Sequence, residues 1–203
     1  MDVTVCVATF GGSEWYDLAH ERAIPSAQDQ ARVVYAHGAT LHDARNAALS
    51  EVRTEWVVHL DADDELAPGY IEAMGRGTAD VRGPMAQYVR LGNRSMWQPR
   101  VHGHDHDCGA DCITSGAGNW LIVGAAVRTE LVRRVGGWRD WPCYEDFDLW
   151  MRVLLTGASV ELIREAIYVA HVRADSRNRG PAIADKDRVH HDIVASVLGP
   201  VAA

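Results

Sequence analysis

Short β-branched segments alternate with amphipathic ones in the first part of the chain. Val3 to Ala8 is a β-branched run that ends in a glycine turn, and Arg32 to Ala36 is a second such run. Thr40 begins a predicted helix, with Asp43 three residues on in an approximate capping box. Trp56 to Leu60 is almost continuously apolar, which predicts a strand buried on both faces. Strands that alternate with helices in this way predict an α/β domain with a largely parallel sheet.

The pattern is weaker after Pro68, whose position predicts the start of a helix. Two later helices are predicted, one capped by Thr129 and closed by a glycine pair, the other from Glu145 to Leu155. Four short strands are predicted, at Ala86–Leu91, Ser95–Val101, Val160–Ile163 and Ile167–Ala170. No internal repeat or low-complexity linker separates these elements, so the chain is predicted to be one domain.

The composition is that of an ordinary globular protein. Hydrophobic residues make up 47% and charged residues 24% of the chain, which excludes a disordered chain or a fibrous repeat. The longest apolar run, Trp120 to Val127, is far shorter than the ~20 residues that a membrane-spanning helix needs. The N-terminus has no basic flank before its apolar stretch, so no signal peptide is predicted. We therefore expect a soluble, cytoplasmic protein without a membrane span.

The charge balance bears on the partners. Acidic side chains outnumber basic ones by 28 to 20, which gives a formal net charge of −8. A protein that binds a phosphate backbone usually carries the opposite sign. Nucleic acid is therefore not an expected partner, and the sequence leaves the oligomeric state open.

An acidic run follows the third predicted strand and comprises Asp61, Asp63, Asp64 and Glu65. Residues two apart in an extended chain point the same way, so Asp61 and Asp63 can share one face. They would lie at the carboxyl end of a buried strand, where open α/β sheets bind ligands. Two carboxylates there suit a hard divalent cation that keeps places for water and phosphate. The alternative is an acidic turn that only begins the helix at Pro68.

Six short motifs occur in an order and at spacings that are informative together. They are Val5–Phe10, Ala44–Asn46, Leu60–Asp64, Val135–Trp138, Glu145–Leu149 and the pair Tyr168 and His171. The ordered set resembles the family-two glycosyltransferases, which have the GT-A fold. In that resemblance the first motif is the nucleotide loop, the third is the aspartate motif, and the last is a closing Tyr-x-x-His element.

The resemblance implies a fold and a domain organisation. The expected fold is a single-domain α/β, Rossmann-like GT-A fold with a mostly parallel central sheet flanked by helices. The domain would span residues 1–176, with a donor half at about 1–100 and an acceptor half at about 101–176. Residues 177–203 would form a polar tail, expected to be mobile without ligand and then helical.

The resemblance also implies a reaction. It is the inverting transfer of one sugar from a nucleotide-sugar donor, a UDP- or GDP-sugar, to a hydroxyl acceptor on a glycan, protein or small molecule. Negative charge builds up on the leaving diphosphate, and Mn²⁺ or Mg²⁺ would neutralise it. The family often has an acidic residue at the end of the second strand, which helps to hold the nucleobase of the donor. This chain has Tyr35-Ala36-His37 there, so the identity of the nucleobase is not predicted. The Gln-x-x-Arg-Trp motif of processive synthases is absent, which favours the addition of single sugars.

The resemblance assigns roles to individual residues. Asp146 is implied to be the base that takes the acceptor proton. A helix N-terminus weakens such a base, whereas the neighbouring charges of Glu145 and Asp148 strengthen it. The implied donor-binding residues are Thr9, Phe10, Arg45 and Asp61, the metal ligands are Asp61, Asp63 and His171, and the acceptor-binding residues are Trp120 and Glu145.

Three of these roles have structural alternatives. Arg45 could form only a salt bridge on a helix surface. His171 could be an ordinary histidine with satisfied hydrogen bonds at a strand end. Glu145 and Asp146 could serve only to cap a helix.

A histidine and cysteine cluster lies between residues 102 and 112. Its side chains are zinc ligand types, but the spacing fits no known finger or ribbon. An incidental polar loop, a structural zinc clip and a loop over the acceptor site all stay open for His102, His104, His106, Cys108 and Cys112. Without a secretory signal, a disulfide framework has little support, and Cys6, in an apolar run, is predicted to be buried.

Other functions are compatible with parts of the pattern. A nucleotidyltransferase can share the fold, but its usual lysine-bearing loop is replaced here by Thr9–Ser13, which has no lysine. A non-catalytic module that binds a nucleotide sugar or zinc is a second alternative, although the aspartates at 61, 63 and 146 are all present. A zinc hydrolase built on the histidine cluster lacks the helix that would carry its glutamate.

Overall fold

The computed structural model describes residues 1–90, 93–97, 100–101, 104–105, 109–173 and 185–199. Three parallel strands form the first part of its main sheet. β1 (Val3–Phe10) pairs with β2 (Arg32–Gly38) on one side and with β3 (Trp56–Asp61) on the other. The three predicted strands are confirmed, and each extends one or two residues beyond its predicted end. Those extra residues matter because they include Thr9, Phe10 and Asp61.

The helices that connect these strands were only partly predicted. α1 (Ser13–Leu18) continues through a π-helical turn (Ala19–Ala23) into α2 (Ile24–Gln28), and no pattern in the sequence indicated this helix. α3 (Leu41–Glu51) connects β2 to β3 and packs on β1 and β2. Its cap is confirmed, because the Thr40 hydroxyl accepts the backbone N–H of Asp43 at 3.2 Å.

The rest of the sheet is built from the part of the chain that follows Asp61. Its strands are β4 (Glu65–Leu66), β5 (Val81–Arg90), β6 (Asn93–Trp97), β9 (Ala126–Arg128) and β10 (Val160–His171). The order is β2-β1-β3-β9-β5-β10-β4, with β6 paired to β5. β10 is parallel to β5, whereas the short β9 is antiparallel to both of its neighbours. β7 (Arg100–Val101) and β8 (His104–Asp105) form a separate two-stranded sheet.

Several predicted boundaries in this part were wrong. Val160–Ile163 and Ile167–Ala170 are one strand rather than two, because a register shift between Ile163 and Ile167 interrupts the pairing without ending the strand. The strand predicted at Ala86 begins five residues earlier, at Val81, and Leu91 lies outside the described residues. The segment predicted at Ser95–Val101 is divided between β6 and β7, with residues 98 and 99 outside the described part.

Five further helices complete the domain. They are α4 (Tyr70–Gly75), α5 (Asp111–Thr114), α6 (Thr129–Arg134), α7 (Glu145–Leu154) and α8 (Lys186–Leu198). The predicted start of a helix at Pro68 is two residues too early, because Gly69 takes the N-cap position with φ +81°. Thr129 is the first residue of α6 rather than its cap, which is Arg128, so that prediction was wrong. The glycine pair that ends α6 is confirmed, with φ of +82° at Gly136 and +74° at Gly137.

The buried residues of α7 and of the central strands belong to one hydrophobic core. Every residue of α7 from Phe147 to Leu154 is buried, and Trp120 is buried nearby. None of the helices in the described ranges is long and apolar enough to cross a membrane. The predicted boundary at residue 176 stays a prediction, since residues 174–184 lie outside the description, and α8 is the helical part of the predicted tail.

Candidate active site

The carboxyl ends of β1 and β3 place the predicted donor residues at one edge of the sheet. Asp61 is the last residue of β3 and pairs across the sheet with Ala8 of β1, directly before Thr9. Asp63 follows in the turn that leads to β4. The edge therefore presents the two predicted metal-binding aspartates beside the predicted nucleotide loop.

Arg45 connects this edge to the start of α7. Its guanidinium donates to Asp61 Oδ1 at 2.8 Å and to Glu145 Oε1 at 3.1 Å. Only 3% of Arg45 is exposed, which rules out the alternative of a salt bridge on the helix surface. A buried guanidinium needs such partners, because an unpaired charge in the interior is costly. Arg45 thus joins an implied donor residue to an implied acceptor residue.

The turn after β3 is held by a carboxylate whose role the sequence did not indicate. Asp64 is 8% exposed and accepts the Tyr168 hydroxyl at 2.9 Å and the His171 backbone N–H at 2.7 Å. The Tyr168 hydroxyl oxygen also accepts the backbone N–H of Asp61 at 3.3 Å. Arg22 donates to the Asp63 carbonyl oxygen at 2.6 Å. The pairing of Asp64 with a distant strand could not be inferred from its position in an acidic run.

Asp63 has an environment that suits a cation. Burial and the charge of Asp61 raise the pKa of Asp63 to about 6. Asp61 and Asp63 both line one cavity, and their negative charges repel each other. A divalent cation bound between two such carboxylates would offset this repulsion. Within the described residues there is no group of three or more histidine, cysteine or acidic side chains placed to hold a metal. The pair nevertheless fits Mn²⁺ or Mg²⁺, which take one or two carboxylates and complete their coordination with water and phosphate.

His171 lies next to this turn but is engaged by another acid. Its Nε2 and Glu65 Oε2 are 2.5 Å apart. A ligand role for His171 would therefore fall to Nδ1, and that role stays a prediction. Glu65 was part of the predicted acidic run, yet its contact with His171 depends on the pairing of β4 with β10.

Asp146 begins α7 on the other side of Arg45. Burial and the charge of Glu145 raise its pKa to about 7, against the opposing effects of the Phe147 N–H and Arg45. Its oxygens accept the Phe147 N–H at 2.8 Å and the Asn119 amide at 3.5 Å. A carboxylate with a pKa near 7 can accept a proton at neutral pH and release it again. Burial is thus the larger cause of the raised pKa of Asp146, and of the two neighbouring charges that the sequence analysis named, Glu145 contributes, whereas Asp148 pairs with Arg152.

The residue before this acidic pair has an unusual backbone. Tyr144 is the only described non-glycine residue with positive φ, at +59°, and it occupies the N-cap position of α7. Left-handed conformations of large residues cost free energy and cluster at functional sites. Here the turn brings Glu145 and Asp146 to the cavity wall.

Two cavities meet at these charges. The first is lined by Thr9, Phe10, Trp15 and Leu41, among others. The second is lined by Asn119, Leu121, Ile122, Tyr144, Asp146 and His171, among others. Four residues line both cavities, namely Arg45, Asp61, Asp63 and Glu145. The implied donor residues are therefore brought together in the first cavity, and Asp146 lies in the second.

Thr9 is linked to the end of β2. Its hydroxyl is 2.7 Å from the Tyr35 hydroxyl and 3.0 Å from His37 Nδ1. These are the residues found where the family often has an acid. The structure thus places two hydrogen-bonded side chains without a carboxylate there, beside the first cavity.

Trp120 does not line the second cavity, whereas Glu145, the other implied acceptor-binding residue, does. Trp120 is 2% exposed, and its indole N–H donates to the Gly109 carbonyl at 2.7 Å. Its ring packs so closely on β5 that a Cβ at Gly83 would approach it to 2.9 Å. Its neighbours Asn119 and Leu121 line the second cavity instead.

The histidine and cysteine cluster is mostly outside the described residues. This applies to His102, His106 and Cys108. Cys112 is disulfide-bonded, contrary to the expectation that disulfides have little support. A disulfide sulfur is not the thiolate that zinc binds, so Cys112 is not a ligand in this oxidised state. The zinc clip stays a prediction, while Cys6 is buried as expected.

Comparison with known proteins identifies the class. A family model described as glycosyl transferase family group 2 matches residues 56–179. This chain therefore belongs to that family of glycosyltransferases, and the resemblance found in the sequence is confirmed. A search of curated proteins finds no match.

Solved structures of S. aureus TarS have a similar fold. TarS 1–349 in complex with UDP-GlcNAc aligns with a TM-score of 0.65 and 14% identity, covering 98% of this chain and 66% of that chain. TarS 1–349 alone gives 0.57 and 15%, with coverages of 98% and 71%. TarS itself gives 0.51 and 16%, with coverages of 98% and 43%. The chain thus spans less than half of TarS, and at these identities the likeness confirms the GT-A-like fold alone.

Proposed function

We propose that this protein transfers one sugar from a nucleotide-sugar donor to a hydroxyl acceptor, with inversion at the anomeric carbon and with a divalent cation. The observation that carries the proposal is the meeting of two cavities at Arg45, Asp61, Asp63 and Glu145. Transfer between two substrates needs two binding spaces that share one reaction centre. Membership of the glycosyltransferase family supports the reaction class.

The first cavity is the proposed donor site. TarS structures contain UDP-GlcNAc or UDP, which supports a uridine nucleotide as the first donor to test, with a GDP-sugar as the second. The hydroxyl of Thr9, fixed by Tyr35 and His37, lies at one wall of this cavity. Asp61 and Asp63 lie where the cavity adjoins the second one.

The two aspartates are the proposed cation ligands. Asp61 and Asp63 would hold Mn²⁺ or Mg²⁺, and such a cation would supply positive charge to offset the charge that develops on the leaving oxygen. Asp64 keeps the turn in place through Tyr168 and His171. Arg45 holds Asp61 at 2.8 Å while leaving the Asp63 carboxylate to the cavity.

Asp146 is the proposed base. The acceptor oxygen attacks the anomeric carbon, and the bond from that carbon to the diphosphate oxygen breaks. The acceptor proton passes to an Asp146 oxygen, and the bonding electron pair leaves with the nucleoside diphosphate. A single displacement of this kind inverts the anomeric centre.

A thermal-shift panel of UDP-sugars and GDP-sugars, with Mn²⁺ or with EDTA, tests the proposal. Because a ligand that binds only the native state stabilises it by mass action, a donor at 100 times its Kd adds about 2.7 kcal/mol. We expect one nucleotide class to raise Tm with Mn²⁺ and not with EDTA. No rise with any nucleotide, or equal rises with and without the cation, would contradict the proposal.

A further inference from the structure

Trp138 is the last residue of the motif Val135–Trp138, for which the family resemblance gives no role. It follows Gly136 and Gly137, it is 2% exposed, and it lines neither of the two cavities described above. Its ring nevertheless covers the Arg45 guanidinium, with 4.2 Å from Arg45 Cζ to the ring centroid. A side chain that never reaches the reactants thus contacts the residue that joins their two sites.

The backbone of Trp138 is fixed by Asn46, the residue directly after Arg45. Asn46 Nδ2 donates to the Trp138 carbonyl at 2.9 Å, and the Trp138 N–H donates to Asn46 Oδ1 at 2.8 Å. A Cβ at Gly137 would collide with Asn46 Oδ1, so this close approach depends on glycine. Two adjacent residues of α3 therefore have linked roles: Arg45 supplies the guanidinium, and Asn46 fixes the backbone of the tryptophan whose ring covers it.

The indole is fixed at a second point by His59. The Trp138 indole N–H donates to His59 Nε2 at 3.2 Å, and the two rings meet edge to face at 4.8 Å and 77°. His59 is 1% exposed and Trp138 is 2% exposed, so water has little access to this hydrogen bond.

The held guanidinium sits at the boundary between the two cavities. Arg45 contacts Asp61 on the donor side and Glu145 on the acceptor side. Its charge also acts on Asp146, whose pKa it lowers. A rotation of this planar group would break one contact or both, since its geometry matches two carboxylates only in one orientation.

We propose that Trp138 is a positioning residue: its indole, fixed by Asn46 and His59, holds Arg45 in the orientation that keeps Asp61 and Glu145 at a set distance across the two cavities. The kinetic consequence rests on the proposed function, whereas the positioning does not. The position of the donor site relative to the base then depends on Arg45 and Trp138, although Asp61 and Glu145 are 84 positions apart in the chain.

Trp56 provides a matched control. It is 3% exposed and also stacks against guanidinium groups, with Arg82 at 3.9 Å and Arg128 at 4.4 Å. It begins β3, however, whereas Asp61 ends it, and it lines neither cavity. Replacing Trp56 removes the same kind of packing and cation–π contact without touching the site.

The experiment compares Trp138→Phe, Trp138→Leu, Asn46→Ala and Trp56→Leu with the wild type. Phenylalanine keeps an aromatic face and leucine does not, while both lose the indole N–H. The first readout is NMR of Arg45, whose δ protons and Nε–H are shifted by the ring current of Trp138, together with the carboxyl titration of Asp146. The second readout is the rate at which the donor sugar is transferred to water.

We expect Trp138→Leu to abolish the Arg45 ring-current shift, to raise the Asp146 pKa and to lower kcat/KM by about 10²-fold, the effect of a small misplacement. Trp138→Phe should stay close to the wild type in each of these three readouts. Asn46→Ala should change the same signals as Trp138→Leu and replaces it in the test if Trp138→Leu does not fold. Unchanged Arg45 signals in folded Trp138→Leu or Asn46→Ala, or equal changes in Trp56→Leu, would overturn the proposal. Altered NMR signals without any donor turnover would instead count against the proposed function alone.

Discussion

The acidic turn after β3 and the acidic start of α7 are joined by Arg45, but different contacts hold them. In the turn, Asp64 accepts hydrogen bonds from Tyr168 and His171, both on the long strand β10. At the start of α7, Asp146 accepts one from the adjacent backbone N–H and a longer one, at 3.5 Å, from Asn119. The turn is thus tied to the sheet, whereas Asp146 has few fixed donors.

The two regions raise the pKa of an acid for the same reasons. Burial and the charge of Asp61 raise the pKa of Asp63 to about 6, in the turn that is tied to β10. Burial and the charge of Glu145 raise the pKa of Asp146 to about 7. A fixed pair of acids is suited to share a cation, and a loosely bonded acid is suited to take up a proton and release it.

Replacement of a cation ligand should have the largest effect on the donor side. We expect Asp63→Ala to abolish Mn²⁺-dependent nucleotide binding while the protein stays folded, because the carboxylate that remains of the pair, Asp61, is already engaged by Arg45. Isothermal titration with the nucleotide found in the thermal-shift panel measures this. Asp29→Ala, which removes an exposed carboxylate at the end of α2, is the control. Unchanged Mn²⁺-dependent binding in folded Asp63→Ala would refute the assignment.

A smaller effect is expected from the contact that ties the turn to β10. Tyr168→Phe removes the donor to Asp64 and should lower Mn²⁺ affinity by about 10–100-fold, as loss of a supporting hydrogen bond does at metal sites. Tyr70→Phe is the matched control, because it deletes another buried hydroxyl, which donates to the Gly124 carbonyl at 2.6 Å. Equal Mn²⁺ affinities of the two variants would show that the turn needs no such tie.

The smallest expected effect concerns stability at the start of α7. Since the folded state raises the Asp146 pKa to about 7, it binds the proton more tightly than the unfolded state does. This group therefore lowers stability progressively as pH rises from about 4 to about 7. We expect Asp146→Asn to remove that loss, so its Tm should exceed that of the wild type increasingly across this range, by about 2–4 °C per kcal/mol. A constant Tm difference from pH 4 to pH 8 would contradict the raised pKa.

Much of this site could be predicted because its parts are local. The apolar run before Asp61, the cap at Thr40 and the amphipathic pattern after Glu145 each follow from a few neighbouring residues. The ordered motifs then assign Arg45, Asp63 and Asp146 to one fold.

The remaining features depend on distant contacts. Arg45 meets Glu145 only because α3 and α7 approach each other, and Asp64 meets Tyr168 only because β4 pairs with β10. The resemblance implied that Trp120 binds the acceptor, yet its neighbours Asn119 and Leu121 line the second cavity, because packing determines which side chain faces a cavity. The disulfide of Cys112 could not be predicted either, because the residues next to a cysteine in the sequence do not determine whether it forms a disulfide.

Asp146→Asn tests the central claim most directly, because it separates an enzyme from a binding module. Asparagine keeps the shape and most hydrogen bonds of the side chain but cannot accept the proton. With the donor and an accepted hydroxyl compound, we expect transfer to fall by about 10²–10⁴-fold while Mn²⁺-dependent donor binding stays near that of the wild type. Transfer by Asp146→Asn at the wild-type rate would contradict the account and would direct the search for the base to Glu145 or Asp148.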